Sequence, residues 1–173
     1  MAYGCRRRRL WLIALYFAAM PDLRIGVVDV YVIRPYRDEW LVLALQRSLG
    51  TRCPASWETV HGRIESGERP EEAAVRELRE EAGLAVDRLY SITCQPFYLH
   101  NIGVVQMAVV FAAFVREPGD VTTGDEHQRH EWLPMAEAAR RFTWPREREA
   151  LQHIAILLGS GDAGPAEDVL RVI

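Results

Sequence analysis

From Gly62 to Leu84 the chain reads GRIESGERPEEAAVRELREEAGL. At about 100° per residue in an α-helix, Glu77, Glu80 and Glu81 fall within roughly one third of the circumference, and Ala74, Val75, Leu78 and Ala82 occupy the neighbouring arc. Such a helix buries one stripe and presents carboxylates beside it. Like charges spaced i, i+3 and i+4 repel, so an isolated helix gains nothing from the pattern. A hard divalent cation removes the conflict, because Mg²⁺ and Mn²⁺ favour carboxylate oxygen and leave positions for water and phosphate. The competing reading is a solvated acidic face in which Arg76 and Glu80 form an i, i+4 pair.

Local signals agree on a loop, a helix and a loop. Gly62 and Gly67 flank a segment in which backbone without Cβ can approach a ligand or take positive φ. Pro70 suits a first helical turn, Glu68, Glu71 and Glu72 suit a helix N-terminus, and Gly83 is expected to close the helix at its C-terminal end. Taken whole, Gly62, Glu68, Arg76-Glu77-Leu78, Glu80-Glu81 and Gly83-Leu84 stand at the spacing of the signature of the Nudix (MutT-like) hydrolases, which this chain resembles at every specified position. With seven fixed residues, a chance match is roughly one in 10⁸ per window.

Outward from this unit, Arg24 to Ile33 (RIGVVDVYVI) reads as a buried strand and Glu39 to Arg47 (EWLVLALQR) as the strand returning from a turn at residues 34–38. A loop over 48–56 leads to a short strand at Trp57 to Val60. Strands are expected within Arg88 to Leu99, over Val104 to Val115 as the central strand, and over His130 to Leu133. The longest internal loop is 117–128. Helices are expected at Met135 to Arg141 and Pro145 to Leu158, the second with an apolar face at Leu151, Ile154, Ala155 and Leu158. Strands on both sides of a helix, with helices at the end, imply an α/β fold with a mixed sheet covered on both faces. The resemblance implies the same arrangement, an α/β/α sandwich.

The 173 residues, 49% hydrophobic and 26% charged, suit one globular domain. A net charge of −3 argues against a general nucleic-acid binder. Cys5, Cys53 and Cys94 have no metal-ligand spacing and read as reduced thiols. Residues 1–19 differ from the rest: Arg6 to Arg9 precede a ten-residue apolar run from Leu10 to Ala19, the outline of a secretory signal but too short to span a bilayer. The favoured reading is that Met20 is the natural start and 1–19 an upstream extension. A single domain is then expected over 20–158, followed by a small, polar, mobile tail over 159–173.

What the resemblance implies chemically is hydrolysis of a diphosphate linkage in a nucleoside diphosphate joined to another group. Carried over by position, Glu77, Glu80 and Glu81 hold the metal, Gly62 adds backbone to the site, and Arg76 orients Glu68 or Glu77 from behind. The cofactor implied is Mg²⁺, with Mn²⁺ as a substitute. The general base is a signature glutamate or an acid on a later loop, with Glu126 as the candidate and Glu131 as the alternative. His61 stands where many family members carry glycine. The surrounding run Trp57 to Glu68, with Leu45-Gln46-Arg47 before it, looks most like the dihydroneopterin triphosphate and dATP pyrophosphohydrolase branch. Arg47, Trp57 and His61 are the expected substrate contacts, with Phe97, Tyr98 and Trp144 as further aromatic candidates. The expected partner is a small nucleotide or pterin triphosphate in the cytoplasm, with no nucleic acid or membrane and with homodimerisation open. Hydrolysis of ADP-ribose-like or dinucleotide substrates, or nucleotide sensing without cleavage, are the alternatives. Intact signature acids argue against sensing.

Overall fold

The computed structural model describes residues 21–116 and 119–173, so the expectations for 1–19 lie outside the described residues. Strand β1 (Asp22–Tyr36) is the spine of the fold. Its apolar run alternates: Val28, Val30 and Val32 point into one core, and Tyr31 and Ile33 into the other. It is longer than the predicted 24–33 because β6 (Val104–Phe114) pairs with it in parallel from Asp22↔Val104 to Ile33↔Phe114, and the strand returning from the turn pairs with residues 34–36.

The opposite edge of β1 is shared. β2 (Glu39–Arg47) turns back through Arg37, at φ 53°, and pairs antiparallel over Ile33↔Val42 to Tyr36↔Glu39. β3 (Trp57–Glu58) pairs with the end of β2, after which β4 (Val60–Arg63) crosses to β1 at Val30↔Val60 through Val27↔Arg63. The predicted short strand thus splits in two and delivers the chain to Gly62 beside the middle of β1. β5 (Arg88–Leu99) closes one side antiparallel to β6, and β7 (His127–Pro134) lines the other edge of β2. The sheet is therefore mixed, as expected, with β6 between β1 and β5.

Helix α1 (Pro70–Ala82) buries Ala73, Ala74, Leu78 and Ala82 on one face of this sheet. Pro70 opens it and Gly83, at φ 69°, ends it in the left-handed conformation. Helices α2 (Met135–Arg141) and α3 (Pro145–Leu158) cover the other face with Ala138, Ala150, Leu151, Ile154 and Leu158. Ala155, predicted on that face, is exposed, and Ala150 takes the place in the core. Residues 159–173, expected to be a mobile tail, run back over β5. A 3-10 turn at Gly164–Ala166 and helix α4 (Glu167–Leu170) place Glu167 under the Tyr90 hydroxyl at 3.0 Å, and Val172 N–H donates to the Leu89 carbonyl. Polar composition did not reveal these specific bonds.

One buried acid ties the two layers to the site. Glu147, fully buried in the first turn of α3, accepts from Trp144 N–H at 3.0 Å and from Thr59 N–H at 3.0 Å. Trp57 and Thr143 exchange two further bonds beside it. Burial raises the Glu147 carboxyl to about 7, against the pull of those two N–H groups. Replacing Glu147 with Ala strands two donors and opens a void, and is expected to lower unfolding stability by about 2–5 kcal/mol in denaturant titrations.

Candidate active site

The loop between β4 and α1 is gathered by one guanidinium. Arg76 donates from Nε and Nη2 to the two oxygens of Glu68, both at 2.9 Å, from Nη1 to Glu77 at 2.8 Å and Glu80 at 3.1 Å, and from Nη2 to the Arg63 carbonyl at 2.8 Å. Glu68 also accepts from Glu65 N–H at 2.9 Å. These bonds, Arg76 first, hold the Glu68 carboxyl down at about 2. The helix is thereby locked to the loop that precedes it.

Glu77 and Glu81, one turn apart, point inward and are buried, whereas Glu80 is exposed. Helical periodicity placed the three acids in one arc, and the sheet divides that arc into covered and open parts. Gly62 is required by Glu77: a Cβ at this position would stand 1.8 Å from the Glu77 carboxyl carbon. Among the described residues Glu81 receives one bond, from His61 N–H at 3.3 Å. Burial drives its carboxyl up to about 8, opposed by that N–H and reinforced by the charge of Glu77.

Glu77, Glu80 and Glu81 line a cavity of about 200 Å³ whose other wall is Gly124, Asp125, Glu126 and His127. That loop docks on the end of α1 through Thr122 N–H to the Ala82 carbonyl at 3.1 Å, and Gly124 is close-packed on the Glu80 carbonyl. Glu126, the predicted loop acid, therefore meets the signature acids across the cavity. Glu131 does not: it is spent on Arg129 and Arg141 at 3.0 and 2.6 Å.

The predicted substrate contacts fare differently. Arg47 has its fork occupied, with Nη1 on Glu58 at 2.7 Å and Nη2 on Glu126 at 2.8 Å. Trp57 lies between Arg129 and Arg141, whose guanidinium carbons stand 5.8 and 4.8 Å from its ring centroid, and is absent from the cavity wall. His61 turns its ring to Asp29, with Nδ1 to Oδ1 at 2.5 Å, and packs edge-on to Phe97 at 6.4 Å. Asp29 is fully buried and also pairs with Arg146, which lies over the Phe97 ring at 5.0 Å.

Asp29, Glu58, Arg146 and Glu147 were not singled out from sequence, and His127 was read only as a possible donor to phosphate. Asp29 carried a signal, a lone carboxylate in the apolar run VVDVYV. Glu58, Arg146 and Glu147 looked like ordinary charges, because their partners come from segments far away in the chain.

A family model described as the NUDIX domain matches residues 23–154. The chain belongs to the Nudix family. It is 32% identical over 136 residues to an octanoyltransferase of Myxococcus xanthus, covering 78% of this chain and 37% of that protein. It spans between 24% and 64% of the curated relatives that it matches. Among solved structures it resembles an Ap4A hydrolase of C. elegans in a binary complex, at TM-score 0.66 and 22% identity over 79% of this chain and 99% of the other. It also resembles the E. coli dihydroneopterin triphosphate pyrophosphohydrolase, at TM-score 0.64 and 23% identity over 75% and 94%. The dihydroneopterin branch is thus one neighbour among several, and the fold is what these likenesses share.

Nudix hydrolases generally require divalent cations, and the donor set here suits one. All candidate donors are hard oxygens on one cavity, Gly62 leaves room for Glu77, and among the described residues Glu81 is met only by the His61 N–H. No three His, Cys, Asp or Glu side chains among the described residues converge on one point as they stand. Gathering them round an ion calls for a side-chain rotation, which the exposed Glu80 would make by giving up its 3.1 Å bond from Arg76.

Gly62→Ala is expected to weaken Mn²⁺ binding and kcat by about 10–100-fold with little change in circular dichroism, because it displaces Glu77. A second expectation concerns pH. The folded-state pKa of Glu81 lies near 8, above the unfolded value, so its burial carries no penalty below about pH 4.5 and an increasing one as pH rises toward 8. The Tm of chelator-treated protein should fall across that window, Glu81→Gln should flatten the fall, and Mg²⁺ should oppose it most strongly at the alkaline end.

Proposed function

We propose that this Nudix hydrolase is a Mg²⁺-dependent pyrophosphohydrolase, with Mn²⁺ as a substitute. The observation that carries this reading is the convergence of Glu77, Glu80, Glu81 and Glu126 on one cavity, beside a glycine that Glu77 requires. When bound, the cation neutralises phosphate oxygens and makes water a stronger nucleophile. The chain's own groups do the rest. Arg76 fixes the orientation of Glu77 by donating to it at 2.8 Å, and tethers the exposed Glu80 by a longer bond at 3.1 Å. Glu81, buried beside Glu77, would serve as an anionic ligand to that cation. Gly62 lets the backbone lie against the Glu77 carboxyl. Glu126 has one oxygen on Arg47 and the other without a bond among the described residues. That second oxygen accepts a proton from the attacking water. The water oxygen bonds to phosphorus while the bridging P–O bond breaks, and the leaving phosphate group carries away the electron pair.

The substrate favoured is a (d)NTP or dihydroneopterin triphosphate, split to monophosphate and pyrophosphate, a small molecule acted on in the cytoplasm. The run from Trp57 to Glu68 supports it, as does the likeness to the E. coli enzyme. A dinucleotide or ADP-ribose-like substrate is the second reading, favoured by the likeness to the Ap4A hydrolase. Among the described residues no helix is long and apolar enough to cross a membrane.

A product-resolved panel of dihydroneopterin triphosphate, dNTPs, ADP-ribose and diadenosine polyphosphates decides between them. Glu80→Gln and Glu81→Gln are expected to reduce turnover by about 10²-fold or more. Turnover that survives both substitutions would overturn the assignment of the metal site. Preference for a dinucleotide would keep the chemistry and replace the substrate.

A further inference from the structure

Arg47 ends β2 close to the cavity, where a cation is naturally expected to meet substrate phosphate. Its geometry says otherwise. The side chain is 15% exposed, and its fork joins Glu58, itself buried, to Glu126 on the cavity wall, at 2.7 and 2.8 Å. Behind Glu58 stands His127, buried, with Nε2 3.3 Å from the same Glu58 oxygen that Arg47 uses. Glu126 and His127 are consecutive residues. Arg47 and Glu58 therefore hold both side chains of one dipeptide and close a ring of bonds around it. The backbone is tied at the same place: Ser48 N–H donates to the Glu126 carbonyl at 2.8 Å, and the Ser48 hydroxyl to the Asp125 carbonyl at 3.0 Å.

A guanidinium that bridges two carboxylates sets direction as well as distance, since its donors are coplanar and fixed. Here it leaves one Glu126 oxygen on Arg47 and aims the rest of the side chain from the wall shared with Glu77, Glu80 and Glu81. We propose that Arg47, backed by the buried Glu58 and His127, is a positioning residue that acts through Glu126 rather than on the substrate. This rests on the reading of Glu126 as the proton acceptor. Loop acids are mobile by default, and a carboxylate that must meet one water gains most from being held.

The test is a double-mutant cycle on the full chain with its best substrate and Mg²⁺. Arg47→Met is expected to lower kcat about 10–100-fold with KM nearly unchanged, and Arg47→Met/Glu126→Gln to be no slower than Glu126→Gln alone, because the arginine has nothing left to position. Arg47→Met leaves Glu58 buried without its strongest partner, so Arg47→Lys serves as the folded control, with Tm and circular dichroism followed for each. Lysine keeps the charge beside Glu58 but lacks the planar fork, and it is expected to keep KM and lose most of kcat. Multiplicative losses in the double variant, a rise in KM on its own, or full rescue by lysine would each overturn the proposal and return Arg47 to a phosphate contact or a plain charge. If Glu126→Gln retains full kcat while Glu80→Gln and Glu81→Gln do not, the proton-acceptor reading falls and Arg47's role falls with it. If Glu126→Gln is slow and the losses still multiply, only the role of Arg47 falls.

Discussion

Everything at this site depends on the guanidinium of Arg76 having no donor to spare. An arginine offers five N–H bonds, and here they go to both oxygens of Glu68, to Glu77, to Glu80 and to the Arg63 carbonyl. Three carboxylates crowded at one end of a helix would repel, and the arginine converts that repulsion into geometry. It reaches back across the loop to β4, so the register of α1 relative to the sheet is set by a charged contact as well as by Leu78 and the alanines beneath it. Glu81 is the signature acid that Arg76 does not touch, and it is the one whose carboxyl is driven up to about 8.

The second constraint is the division of one edge of β1 between two partners. β2 takes the far part, Ile33 to Tyr36, and β4 takes the near part, Val27 to Val30. Gly62 and His61 consequently sit side by side in mid-sheet with their faces opposed. Gly62 lies under Glu77 on the α1 side. His61 reaches Asp29, whose neighbour Arg146 comes from α3 on the other side. A single dipeptide thus joins the acidic helix to the opposite layer, and Glu147 braces the approach by holding Thr59.

What was legible in the sequence was local. Pro70 and Gly83 mark the ends of α1, Met135 and Pro145 open their helices, and alternation in VVDVYVI identifies a strand buried on both faces, because each of these depends on neighbours a few residues away. The spacing of Glu77, Glu80 and Glu81 is equally local. The occupation of Arg47 was not legible, since Glu126 lies 79 residues away and nothing near Arg47 announces it. The surroundings of Trp57 were hidden for the same reason: its cationic neighbours Arg129 and Arg141 belong to β7 and α2. The bonds from residues 159–173 to β5 were not legible either, since polar composition does not name partners so far back in the chain.

The buried acids, taken together, separate structure from chemistry. Asp29 is answered by His61 and Arg146, Glu58 by Arg47 and His127, and Glu147 by two backbone N–H groups. Each is a buried charge or carboxyl with two partners, which is what burial of such groups demands of a stable interior. Glu81 is also buried and has, among the described residues, one N–H at 3.3 Å, with a second carboxylate nearby. Folding alone gives no reason to keep an acid so poorly served, when a leucine or glutamine would sit there at lower cost. The shortfall at Glu81, set against the two partners of Asp29, Glu58 and Glu147, is the physical ground on which the proposed metal site rests.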